Sequence, residues 1–223
     1  MLRNLKDIGV ALCIPEIHRT LLYILIGGIL CPSFGTFSYY FLTDILHISQ
    51  FTYALLNVLG FFGLAVGSAL FNAKLKHTEV RKLLLYGIVL GLALTPLYFS
   101  LVMRWNVHFG IPDMPLIIFS DIFGEIIAMS LSSLPMMVLF AKIIPNNIEA
   151  TCFAFLTGCI NFMGSCRGII GSWINKRFVH VSKDNMDDFY ILIIISTIGA
   201  FLPLLFLWLI PSRAQISTLQ AKI

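Results

Sequence analysis

A chain of 223 residues that is 58% hydrophobic and 12% charged, with a mean hydropathy of +0.91, has lipid rather than water as its main solvent. A soluble domain carries roughly 25% charged residues, about twice this share. The net charge of +4 is mild, and its basic residues sit in short loops instead of on one face, which excludes a nucleic-acid footprint.

Residues 1–19 read as a surface helix or linker. Asp7 interrupts the start, the apolar piece Ile8 to Ile14 is short, and Pro15-Glu16 follows without a small-residue cleavage pattern. The first predicted span is Leu21 to Leu42. It is uncharged, but Pro32, Ser33, Gly35, Thr36, Ser38, Tyr39 and Tyr40 crowd its second half. Such a segment is either a broken helix facing protein or a cavity, or a plain packing kink.

The second span runs from Thr52 to Phe71 and the third from Leu83 to Met103. Gly60, Gly63 and Gly67 give the second a small-residue face, and Gly87 with Gly91 does the same for the third. Gly164 and Gly168 repeat the spacing in the fifth, and such pairs permit the close helix approach from which packing energy in lipid derives. The fourth span is Met114 to Ala141, the fifth Ala150 to about Ile174, and the sixth Phe189 to Ile210, closed by Pro211. At about 1.5 Å per residue each is long enough for a hydrocarbon core of roughly 30 Å. The expected fold is therefore all-α, a polytopic bundle of six transmembrane helices over residues 20–211, with a tail at 212–223.

Loop charge sets the expected orientation. Arg3, Lys6, Arg19, Lys74, Lys76, Arg81, Lys82, Lys142, Arg213 and Lys222 fall on one side, against Arg104, Lys176, Arg177 and Lys183 on the other, so both termini are expected to be cytoplasmic.

Three ionisable residues lie inside the spans. Asp121 and Glu125, four residues apart, share one face of the fourth helix, and Ala128 and Ser132 continue it. Helical rise places Glu125 about 4–5 Å and Asp121 about 10 Å from the helix middle toward the outer side, with Arg167 of the antiparallel fifth helix about 6 Å toward that side. The matching depths predict an Arg167–Glu125 ion pair with Asp121 nearer the outer mouth. Two readings compete: a carboxylate in a low-dielectric cavity that takes up and releases a proton while Arg167 holds an anionic group, or two charges that neutralise each other between helices. A small polar stripe, Thr157, Gly158, Asn161, Gly164, Ser165, Gly168 and Ser172, lies about 120° around the fifth helix from Arg167; one of these faces lines a cavity and the other packs. Glu149 reads as the third position of a capping box begun by Asn146.

Catalysis is not indicated. There is no phosphate loop, metal-ligand cluster or nucleophile with a base at useful spacing, and the five histidines are scattered over loops and span ends. Among Cys13, Cys31, Cys152, Cys159 and Cys166 no pair has Cys-x-x-Cys spacing. The last three repeat every seven residues on one helix face, where small apolar filling is the simpler reading than a metal or redox stripe. No cofactor or metal is expected.

Several fragments, in order and spacing, resemble the folate–biopterin transporter family, a branch of the major facilitator superfamily, and specifically its C-terminal six-helix half. Pro32-Ser33 and Tyr40-Phe41-Leu42-Thr43-Asp44, with Leu46 and Phe51, resemble the family's seventh helix and its exit. Phe71-Asn72, Leu75-Lys76 and Arg81-Lys82 resemble the basic loop between its eighth and ninth helices, and Gly110-Ile111-Pro112-Asp113 with Asp121 the start of its tenth. Pro135, Val138-Leu139, Ala141 and Pro145, then Glu149-Ala150-Thr151-x-Phe153-Ala154 with Asn161, resemble the most diagnostic block, and Pro203-Leu204 fits the last helix.

The resemblance implies two six-helix halves with substrate bound between them near the midplane, alternating access, and transport of folates, pterins or other nucleoside-like metabolites with proton coupling. It marks Asp113, Asp121, Pro135, Glu149, Thr151 and Asn161 as signature positions. Together with the depth argument, the expected binding or coupling set is Asp121, Glu125, Arg167, Asn161, Ser132 and Tyr40. The expected partners are the bilayer (the plasma membrane), an anionic folate or pterin, and a missing N-terminal half or a second copy. The alternative is a non-transporting remnant or subunit that needs a partner half.

Overall fold

A computed structural model describes Gly9 and residues 14–144 and 148–220; Asn146 and Pro145, and with them the capping-box partner expected for Glu149, lie outside the described residues. The first span is two helices, α1 (Pro15–Leu30) and α2 (Gly35–Ile45), bent by 48° at the intervening residues. The remaining spans are α3 (Gln50–Leu75), α4 (Val80–Val102), α5 (Asp113–Ile143), α6 (Glu149–Val179) and α7 (Phe189–Leu209). A short α8 (Arg213–Gln220) follows, and no strand occurs among the described residues.

Polar caps start some of these helices. The Ser49 hydroxyl accepts the Thr52 N–H at 3.1 Å to open α3, and Ser212 with Gln215 caps α8 reciprocally. Two of the helices deform beside a proline. Pro135 has no N–H to close on the carbonyl four residues back, and α5 widens into π turns at Ala128–Ser133 just before it. Pro203 likewise stands at the head of the tightened stretch Leu202–Leu209 of α7.

The packing order differs from the chain order. α5 packs on α3 and α4, α4 also packs on α7, and α1 packs on α6 and α7. Two apolar cores close the two ends of the bundle. At the end that carries α8, Ile17, Leu84, Leu139, Ile143, Leu156 and Ile210 are buried together. At the opposite end, Phe41, Leu101, Ile117, Val179, Phe189 and Leu192 do the same. The opposite end is also tied by loop hydrogen bonds. The Asp113 carboxylate receives Arg104 Nη1 at 2.9 Å and Asn106 Nδ2 at 2.7 Å, while Asn175 exchanges two bonds with Val181. This gives Asp113, expected as a signature position, a visible structural task.

Glycines permit the closest helix crossings. A Cβ at Gly63 would lie 2.9 Å from the Ile122 carbonyl oxygen, one at Gly67 2.9 Å from that of Ile126, and one at Gly87 2.9 Å from Ser132 Oγ. The expectation for the fifth span is corrected: Gly164 and Gly168 have open space where a Cβ would go, because α6 turns that face away from its neighbours. Glu149 is also not at a third helical position; it is the first residue of α6, after Ile148.

Gly199→Ala should destabilise the protein by about 1–3 kcal/mol, since its Cβ would meet the Leu30 carbonyl oxygen at 2.6 Å and Pro32 Cδ at 2.9 Å. Gly164→Ala, with nothing within 4 Å, should leave it unchanged. Thermal unfolding of the two variants in one detergent makes the comparison.

Candidate functional site

The break in the first span is where the site begins. Pro32 cannot donate to the helix and separates α1 from α2, leaving backbone groups open in a region where water is scarce. Arg167 of α6 supplies the missing partner. Its Nε donates to the Cys31 carbonyl at 2.7 Å, one terminal nitrogen reaches Cys31 Sγ at 3.2 Å, and its own carbonyl accepts the Ser33 N–H at 3.0 Å. Three glycines let the neighbours close on this joint: Gly171 faces the Ser33 carbonyl, Gly199 the Leu30 carbonyl, and Gly28 the Met163 side chain.

The expected Arg167–Glu125 pair is therefore not made. Equal depth does not bring two helices together: α6 packs on α1, while α5 packs on α3 and α4. Among the described residues the ion pair is Arg104–Asp113. Glu125 lies in the seam between α5 and α3, its Cβ 3.1 Å from where a Cβ of Gly63 would stand.

Beside the joint lies a cavity of about 720 Å³, bounded by α1–α2, α4, α5, α6 and α7. Asp121, Arg167, Ser132 and Tyr98 line it, together with Ser38 and Thr197. A second cavity of about 610 Å³ lies between α2, α3 and α5. The two share Ser38, Tyr98, Ser120 and Asp121, and Glu125 belongs to the second alone. Asp121 thus stands on the wall common to both, and Arg167 on the first only.

Several lining hydroxyls are already satisfied as donors by their own helix. Ser120 donates to the Leu116 carbonyl at 2.8 Å and Thr197 to that of Ile193 at 2.7 Å, which leaves oxygen lone pairs for the cavity. The Tyr98 hydroxyl is buried and makes no hydrogen bond of good geometry, with Ser38 and Asp121 as its polar neighbours. The site therefore offers a carboxylate, part of a guanidinium, a phenol and several hydroxyl acceptors.

The other expected residues lie apart from this group. Tyr40 packs with the core of the far end, its ring 5.9 Å from that of Tyr39. Asn161 is on the exposed face of α6, where its carbonyl accepts the Ser165 hydroxyl. Pro135 is buried in α5 beyond the π turns, and Glu149 and Thr151 open α6 at the α8 end. Tyr98 and Thr197 were not singled out by sequence reasoning, while Ser38 was named only within the polar crowding of the first span.

Comparison with known proteins gives a consistent picture. The model of the BT1 family matches residues 1–222. Similar proteins include "Probable folate-biopterin transporter 4" of Arabidopsis thaliana, 28% identical over 90% of this chain and 40% of the relative. "Probable folate-biopterin transporter 5" of the same plant is 31% identical over 75% of this chain and 34% of the relative. "Folate transporter 1" of Plasmodium falciparum (isolate 3D7) is 26% identical over 85% and 37%. The chain thus spans about two fifths of the length of the curated relatives it matches. No solved structure matches it.

Arg167→Ala should cost about 1–3 kcal/mol of stability, because the Cys31 carbonyl would lose its donor in a site poor in water. Glu125→Gln should stay within about 0.5 kcal/mol of the parent, since among the described residues no cation pairs with it. Unfolding curves in detergent separate the two, and equal losses would restore the ion pair.

Proposed function

The chain belongs to the BT1 family of folate–biopterin transporters, and from that premise we propose that it carries folate- or pterin-type solutes by alternating access, coupled to protons. It is a multi-pass membrane protein. The observation that carries the proposal is the cavity at the helix break, which joins Asp121, Arg167 and Tyr98 along one open-sided wall within the spans. A pterin ring offers adjacent N–H donors that a carboxylate accepts in pairs, and the anionic tail of a folate suits the guanidinium nitrogens left over from the Cys31 bonds. Asp121, on the wall between the two cavities, is the proton-coupling group in this reading, and Glu125 serves the second cavity. Residence in the plasma membrane with both termini cytoplasmic completes it; the concentration of Lys and Arg at the α8 end supports that orientation.

A second reading is favoured by one observation. The stripe from Thr157 to Ser172 on α6 is polar, small and largely exposed, as suits a face that meets another bundle rather than lipid. In that reading the chain transports only with a second six-helix unit.

Uptake of labelled folate and biopterin by cells expressing this chain tests both. Asp121→Asn should lower uptake at least tenfold at unchanged membrane abundance, and parent uptake should rise as external pH falls and collapse with a protonophore. Absence of uptake despite good membrane abundance, restored by co-expressing the N-terminal half of a relative, would favour the second reading.

A further inference from the structure

At the α8 end, away from the solute cavity, a separate cleft of about 230 Å³ lies between the α3–α4 loop, the end of α5 and α8. Lys76, Lys142 and Arg213 converge on it from three separate segments, with His77 beside them. Glu79 also lines the cleft, yet none of these cations is in an ion pair; among the described residues that bond is confined to Arg104–Asp113. The walls are fixed. Arg81 donates to the Ile210 and Trp208 carbonyls and so ties the start of α4 to the end of α7. α8 is held by Ile216, 8% exposed within the core of that end. The position is that of a headgroup layer: the cleft sits where the apolar helices stop, and Trp208, bonded through its carbonyl to Arg81, is 63% exposed as interfacial tryptophans are.

We propose that this cleft binds the phosphate group of an anionic phospholipid from the surrounding membrane. Three unpaired cations around one small concavity match the charge and the several acceptor oxygens of a phosphate. The cavity holds the headgroup while its acyl chains run down the apolar flanks of α3, α4 and α5. The ends of the bundle differ in the same sense. Seven described Lys and Arg stand against three carboxylates at the α8 end, whereas Asp184, Asp187 and Asp188 flank the basic residues of the α6–α7 loop at the other. The site is independent of solute transport and stands whichever way that reading falls.

The test uses the full chain purified in detergent and offered phosphatidylcholine and phosphatidic acid in equal amounts, with retained lipid counted by native mass spectrometry. Phosphatidic acid should be enriched on the parent protein. Lys142→Gln, an exposed change that leaves the fold intact, should reduce the enrichment about fivefold, and the triple change with Lys76→Gln and Arg213→Gln should abolish it. Lys176→Gln with Arg177→Gln and Lys183→Gln, at the opposite end, should leave it in place. Absence of enrichment in the parent, or an equal loss in the opposite-end variant, would overturn the proposal. If millimolar inorganic phosphate displaces the lipid and raises the melting temperature as much in phosphatidylcholine alone, the occupant is a soluble phosphate and the lipid assignment falls.

Discussion

In hydrocarbon an open backbone carbonyl has no water to fall back on, and the joint at Cys31–Phe34 exists under that constraint. Pro32 forces the helix apart, and the Arg167 side chain and backbone take over the bonds the helix has lost. The arrangement turns a liability of the chain into a fixed point. Glycines 171 and 199 bring α6 and α7 against it at backbone contact, so three spans meet at one place. The guanidinium that closes the joint also borders the cavity, so one side chain belongs both to the scaffold and to the site.

The two apolar cores follow from the same economy. With packed side chains at both ends of the bundle, Asp121, Arg167 and Tyr98 lie between them, near the joint. Beside the cavity α5 passes through π turns, and α4 carries Pro96 next to the cavity-lining Thr95. Irregular backbone at membrane depth is tolerated where it lines an enclosure, and here it coincides with one.

Much of this was legible in the residues. The spans followed from run length and hydropathy, and the crowding of Pro32, Ser33 and Gly35 marked the break. Gly63, Gly67 and Gly87 signalled the close crossings they make. What failed was neighbourhood. Depth along a helix can be counted from sequence, but which helices touch cannot, and Glu125 and Arg167 share a level on helices packed elsewhere. The same gap hid the contribution of Tyr98, which in an apolar span reads as one more aromatic until α2 and α5 are placed beside it. Gly164 and Gly168 carried a packing signal that this bundle leaves unanswered, since a glycine pair states that approach is possible and not with whom.

The joint also has a history in time. Arg167 is 136 residues further along the chain than the carbonyl it satisfies. At roughly 5–20 residues per second of synthesis, this span must wait about 7 to 27 seconds before its partner emerges. During that interval the unfinished segment holds open carbonyls that lipid cannot serve. It must therefore stay near water or inside the insertion machinery until Arg167 arrives to seat it.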